Sequence, residues 1–147
     1  MRARWFFFYG TLAHDHDNAL TRTVLPLFDG GRRAVVRGQL RAVRDRGGWY
    51  PALVAGHGFV HGWLYRAGPR FRPRDLARLD AWELYDPRRP SAGEYRRVAL
   101  PVRIAGGRPV VAQVYRFNRP VHPGLPVVPG GDFTLHARRR GWSVMAA

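Results

Sequence analysis

The sequence predicts an α+β chain, a sheet or barrel with a few short helices around it, and three observations carry that expectation. The first is the run Trp5-Phe6-Phe7-Phe8-Tyr9-Gly10. Its aromatic content and closing glycine mark a fully buried strand, the natural centre of a sheet or barrel. The second is a set of segments with apolar residues at alternate positions between glycines and prolines, from Arg32 to Tyr65 and from Glu94 to Phe117. The third is a stretch of helical spacing from Pro73 to Tyr85, in which Leu76, Leu79 and Glu83 fall on one face.

Taken in order, the aromatic strand runs into the loop Tyr9-Gly10-Thr11-Leu12, a candidate site because loops on a rigid scaffold carry function. A polar loop then leads to a short helix over Ala19 to Leu25, capped by Asp17 or Asn18 and ended by Pro26 and Gly30-Gly31. Ala34 to Val43, Trp49 to Val54 and Phe59 to Tyr65 read as three strands, with a turn at Gly47-Gly48. Pro51 marks an edge or a bulge, and the in-strand glycines Gly38 and Gly62 mark bends or close backbone approach. Pro73 in the first turn and Asp75 at the positive end of the helix dipole favour the helix to Tyr85, which Asp86-Pro87 ends. Glu94 to Ile104 and Arg108 to Phe117 form a hairpin about Gly106-Gly107. The proline-rich tail crosses the surface, with a short helix over Asp132 to Arg140. No repeat or linker divides the chain, so residues 1–147 are expected to form a single domain.

Composition excludes several functions. The 147 residues contain no cysteine, which rules out disulfides, thiolate metal sites and a cysteine nucleophile. No segment approaches a membrane span, and a cytoplasmic location is expected. The net charge of +15 would suggest a polyanion. However, all 25 basic residues are arginine and none is lysine, which reads as coding bias more than a selected basic surface and weighs against nucleic acid as a partner. The two serines, Ser91 and Ser143, lie in no nucleophile elbow. Gly56-His57-Gly58 precedes a strand instead of opening a helix, so no dinucleotide fingerprint is present, and there is no P-loop. His14, Asp15, His16 and Asp17 could bind a metal, but two histidines without a spaced third ligand make a weak signal, and a solvated loop whose aspartate caps the next helix explains them better. No metal or other cofactor is expected.

Only ten residues are acidic, two of them glutamates. Glu83 stands out because it falls on the apolar helix face beside Trp82. Either it is paired with an arginine such as Arg97, or it is a carboxyl in apolar surroundings whose raised pKa suits proton transfer near neutral pH. Glu94, at a strand start, reads as an exposed charge.

With these residues in place the chain resembles the gamma-glutamylcyclotransferase-like family. The matching elements are Tyr9-Gly10-Thr11-Leu12, Tyr50-Pro51-Ala52-Leu53, Val60 to Tyr65, Leu79-Asp80-Ala81-Trp82-Glu83, Tyr95-Arg96-Arg97, Val114-Tyr115 and Gly131-Asp132-Phe133, in the family's order over nearly the whole chain. Many relatives carry glycine where this chain has Leu84, and often tryptophan where it has Phe133. The resemblance implies a small mixed β-barrel flanked by a few short helices. It implies a cavity in which Tyr9, Gly10, Thr11 and Leu12 hold the glutamyl end of a small-molecule γ-glutamyl substrate, their backbone N–H groups facing its α-carboxylate. It also implies Glu83 as general acid/base, with Tyr50, Tyr95, Arg97 and Tyr115 lining or supporting the cavity. The expected activity is release of 5-oxoproline from a γ-glutamyl amine, amide or peptide by attack of the substrate's own amine. The alternative is a domain of the same fold that binds a small anion or metabolite without turnover.

Overall fold

The computed structural model describes residues 4–10 and 18–145. Five strands and three short helices follow one another as β1 (Trp5–Phe8), α1 (Ala19–Val24), β2 (Phe28–Asp45), β3 (Gly48–Ala67), α2 (Pro73–Trp82), β4 (Tyr95–Ile104), β5 (Pro109–Phe117) and α3 (Phe133–Arg140). The strands close into a barrel in the order β1-β3-β2-β4-β5. All neighbours run antiparallel except the closing pair, where Phe6 of β1 lies beside Gln113 of β5 in parallel. The barrel is therefore mixed, as expected.

The aromatic run is the strand that two cores share. Phe7 joins Val36, Leu64, Val102 and Val114 in a cluster drawn from all five strands and completed by Phe133 and Ala137 of α3. Phe6 and Phe8, which point to the opposite face, pack with Leu20 and Val24 of α1 and Leu79 of α2. A strand apolar at every position can fill both cores at once, because successive side chains alternate faces. Gly62 lets β3 lie against it: a Cβ there would stand 2.5 Å from the Phe8 carbonyl oxygen.

Two expected strands prove to be one. β3 runs unbroken from Gly48 to Ala67, with its ladder to β2 irregular where Arg37 pairs with Phe59 and Gln39 with Val54. The intervening residues 55–58 are exposed but remain extended, and their glycines resemble a break when only sequence is read. β2 likewise extends beyond Ala34–Val43 in both directions, taking in Gly30 and Gly31. The short helix after residue 18 is capped by Asn18, whose side chain accepts from the Thr21 N–H at 2.8 Å, and it gives way to a 3-10 turn over Leu25–Leu27 that contains Pro26. Asp132 caps α3 through the Leu135 N–H at 3.1 Å and also binds Arg33 at 2.8 Å.

α2 stops earlier than its sequence period suggests. Its start is fixed by Pro73 and by Asp75, whose carboxylate accepts from the Arg72 N–H at 2.8 Å. Its last residue is Trp82, and Glu83 is the C-cap. The Tyr85 N–H bonds the Asp80 carbonyl at 2.8 Å and the Leu84 N–H bonds the Ala81 carbonyl at 3.1 Å. That pair is a Schellman closure, which requires a left-handed residue after the cap. Leu84 takes that role at φ 53°, although the left-handed conformation costs a non-glycine residue about 1–2 kcal/mol. Leu84→Gly is therefore expected to stabilise the fold by about 1 kcal/mol, since little leucine surface is buried there, and to raise Tm by roughly 2–4 °C in calorimetry. An unchanged or lowered Tm would mean that Leu84 contributes packing not evident from its exposure.

Candidate active site

One cavity, of about 240 Å³, is built from the ends of most elements. β1 and its exit contribute Phe7, Phe8, Tyr9 and Gly10; the β2–β3 hairpin contributes Asp45, Tyr50 and Pro51; the end of α2 contributes Trp82, Glu83 and Leu84. Glu94 and Tyr95 at the start of β4, Tyr115 of β5 and Met145 complete the wall. Gly10 is small for a local reason: a Cβ at that position would stand 2.9 Å from Pro51 Cγ. Thr11, Leu12 and the His14–Asp17 cluster lie outside the described residues, so the gripping loop can be followed only to Gly10.

The tyrosines wall the cavity with their rings, while their hydroxyls are committed elsewhere. Tyr9 donates to the Tyr115 carbonyl and accepts from the Leu53 N–H at 3.2 Å. Tyr95 donates to the Pro51 carbonyl, and Tyr115 donates to Asp80 Oδ1 at 2.7 Å. Burial pushes the phenols of Tyr9, Tyr95 and Tyr115 well above their ordinary value, so all three stay neutral hydrogen-bond donors that hold strands together. Tyr50 differs, since its hydroxyl donates to Glu94 Oε2 at 3.1 Å within the cavity wall.

Glu83 reaches the cavity from the C-cap of α2, not from an apolar helix face. The helix ends one residue before it, so the continuing stripe read in the sequence does not exist at this position. No ion pair involves it among the described residues, and Arg97 is not its partner. Instead the Arg97 guanidinium binds Asp80 through Nε at 2.9 Å and Gln113 Oε1 through Nη1 at 2.6 Å. Arg97 is also absent from the cavity lining. It supports the site from behind: Asp80, only 3 % exposed, ties α2 to both Arg97 of β4 and Tyr115 of β5, and Glu83 follows it by three residues.

Left without a cation, the Glu83 carboxyl is pushed up to about 7, first by burial and then by the nearby Glu94 charge. A carboxyl poised there is half ionised near neutral pH and can both accept and return a proton. Glu94 is thus a second carboxylate of the cavity, not the exposed charge its place at a strand start suggested. Asp80, which entered the sequence reading only within a matching element, and Glu94, read as an exposed charge, are the residues whose roles the sequence reading missed. In a chain with ten acidic and 25 basic residues, an aspartate three residues before Glu83 was the available signal for the first.

Residues 6–135 match the family model described as gamma-glutamyl cyclotransferase, AIG2-like. The gamma-glutamylcyclotransferase family protein YtfP of Escherichia coli (strain K12) is 32% identical over 127 residues, spanning 86% of this chain and 93% of that protein. YkqA from Bacillus subtilis has a similar structure, with a TM-score of 0.66 at 19% identity over 95% of this chain; the chain spans 43% of that protein's length. An aig2-like protein from Mus musculus gives a TM-score of 0.60 at 23% identity, over 90% of this chain and 89% of its own. At these identities the two structures bear on the fold alone.

Proposed function

Because this chain belongs to the gamma-glutamyl cyclotransferase, AIG2-like family, we propose that its cavity releases 5-oxoproline from a γ-glutamyl amine, amide or peptide, with Glu83 as general acid/base. The observation that carries this reading is the Glu83 carboxyl itself, which lines the cavity, has no ion-pair partner among the described residues and is raised to about 7.

The glutamyl α-carboxylate sits at the loop that begins with Tyr9 and Gly10, and the α-ammonium lies beside Glu83. The ionised Glu83 takes one proton from that ammonium. The freed amine attacks the substrate's γ-carbonyl carbon, forming the C–N bond of the five-membered ring. As the tetrahedral centre collapses, the original γ-amide C–N bond breaks and Glu83 returns its proton to the departing nitrogen. Glu83, ionised again, then relays the ring nitrogen's second proton to the same amine, so the products are 5-oxoproline and the amine as its ammonium, and Glu83 ends ionised as it began. Nucleophile and electrophile share one molecule, so the protein supplies positioning and proton transfer. The aromatic wall keeps Glu83 protonatable, because low polarity disfavours its charged form.

The direct test is incubation with a panel of γ-glutamyl amines, amides and peptides, followed by assay for 5-oxoproline. Release from none of them would overturn the reading. The pH dependence gives a second check. Since Glu83 must be ionised to accept the first proton, kcat/KM is expected to rise with pH through an inflection near the Glu83 value of about 7. A rate independent of pH across that range would remove Glu83 from the proton path.

A further inference from the structure

The outer wall of the barrel carries a second hollow, which shares no residue with the cavity. β2 and β4 pair only where Ala34, Val35 and Val36 lie opposite Ile104, Arg103 and Val102. Beyond Val36 the two strands part. The next residue of β4 is Pro101, which has no N–H to donate. β2 turns instead to residues 126–128: the Leu40 carbonyl accepts from the Val128 N–H at 2.8 Å, and the Ala42 N–H donates to the Pro126 carbonyl at 2.9 Å. Where β2 and β4 diverge lies a groove of about 400 Å³. Val35, Phe59, Leu100 and Pro101 give it apolar walls, and its charged lining consists of Arg37 and Arg103.

Phe59 is 60 % exposed although it stands within β3, so its ring meets water beside other apolar side chains. The two arginines are not neutralised. Arg103 lies opposite Val35, and Arg37 follows Val35 by two positions, so both side chains stand on one face of adjacent strands as diagonal neighbours. Neither has an ion pair among the described residues, and Arg37 Nη2 lies 3.5 Å from His57 Nδ1. The segments that form this wall hold no acid: there is no aspartate or glutamate between Asp29 and Asp45, between Gly48 and Ala67, or between Tyr95 and Gly131. Like charges on neighbouring strands repel, and an anion between them removes that cost. A hollow of this size with apolar walls and a few convergent polar groups has the usual form of a small-ligand site. We propose that the groove binds a small amphipathic carboxylate, its anionic head bridged by Arg37 and Arg103 and its hydrocarbon body laid against Phe59, Leu100 and Pro101. Guanidinium suits such a head, because its planar donors match a carboxylate in paired hydrogen bonds. A second copy of the chain suits the groove poorly, since each copy has a net charge of +15. Binding here does not depend on the cyclotransferase reading.

The test is titration calorimetry at low salt with three ligands of one chain length: octanoate, octan-1-ol and octylammonium. Each guanidinium is expected to contribute about fivefold, the scale of a part-exposed ion pair. Octanoate should therefore bind roughly 25-fold more tightly than octanol, and octylammonium most weakly. Arg37→Gln and Arg103→Gln should each remove about one such factor for octanoate and leave octanol unchanged, whereas Phe59→Ser should weaken both. Added salt should narrow the gap between octanoate and octanol. All three substituted residues are exposed, so the variants keep the fold. Arg96 and Arg116 face each other across β4 and β5 outside the groove. Their double variant, Arg96→Gln with Arg116→Gln, has the same net charge as Arg37→Gln with Arg103→Gln and should bind octanoate as the wild type does. Equal affinities for octanoate and octanol overturn the site. Equal losses in the two double variants do so as well, because they show attraction to net charge alone. Octanoate affinity untouched by Phe59→Ser overturns it too, and so does binding to vesicles of anionic phospholipid with none of free octanoate.

Discussion

Glu83→Gln is expected to reduce 5-oxoproline release by about 10²- to 10⁴-fold in kcat, the usual contribution of a positioned general acid/base. Glutamine keeps the size and much of the hydrogen-bonding shape of glutamate but cannot carry the proton. KM should change less, because the proposed grip on the glutamyl end lies in the loop after β1. The same variant carries a signature in stability. The folded-state value of about 7 lies above the ordinary 4.5 for this group. The native protein therefore binds more protons than the unfolded chain between those values, and stability falls as pH rises through that window. Above it the ionised Glu83 destabilises the fold by about 2 kcal/mol, taking a low conversion of the shift because the residue is partly open to the cavity. Glu83→Gln lacks that penalty. Its unfolding midpoint in urea should exceed the wild-type midpoint at pH 8 and match it at pH 4. Equal midpoints at both pH values, with wild-type turnover, would leave Glu83 as an ordinary wall residue.

Asp80→Ala should have the largest effect on stability. The substitution removes the partner of the Arg97 guanidinium and the acceptor of the Tyr115 hydroxyl. Breaking a buried pair from one side costs about 3–5 kcal/mol, because the remaining charge stays buried without compensation. For a chain of this size that is a fall in Tm of roughly 10 °C by calorimetry. Activity should fall as well, since Asp80 is what fastens the end of α2, and with it Glu83, to β4 and β5. Adding Arg97→Leu to Asp80→Ala should restore part of the loss, as removal of the orphaned charge takes its penalty away. A double variant less stable than both single variants would contradict the pairing of these two residues.

Much of the architecture was legible because it depends on local chemistry. Trp5 to Phe8 reads as a buried strand from its aromatic content and the glycine that follows, and Asn18 and Asp132 stand at helix starts that their side chains do cap. The hairpin around Gly106 also stands where glycine puts it. Boundaries were less legible. The glycines of residues 55–58 imply a break that the pairing of β3 with β2 overrides. The end of α2 depends on Leu84 adopting a left-handed conformation that its own residue type disfavours.

The sequence by itself determined the order of strands and helices, the aromatic centre of the barrel and the scarcity of glutamate that singles out Glu83. These are properties of residue type and spacing, and they survive without knowledge of what lies opposite. Tertiary structure alone decided which carboxylate meets which cation. Arg97 reaches Asp80 across 17 positions and Tyr50 reaches Glu94 across 44, so Glu83 is left unpaired and Glu94 enters the same cavity. Ionisation depends on distances of a few ångströms between residues far apart in the chain, and only barrel closure sets those distances.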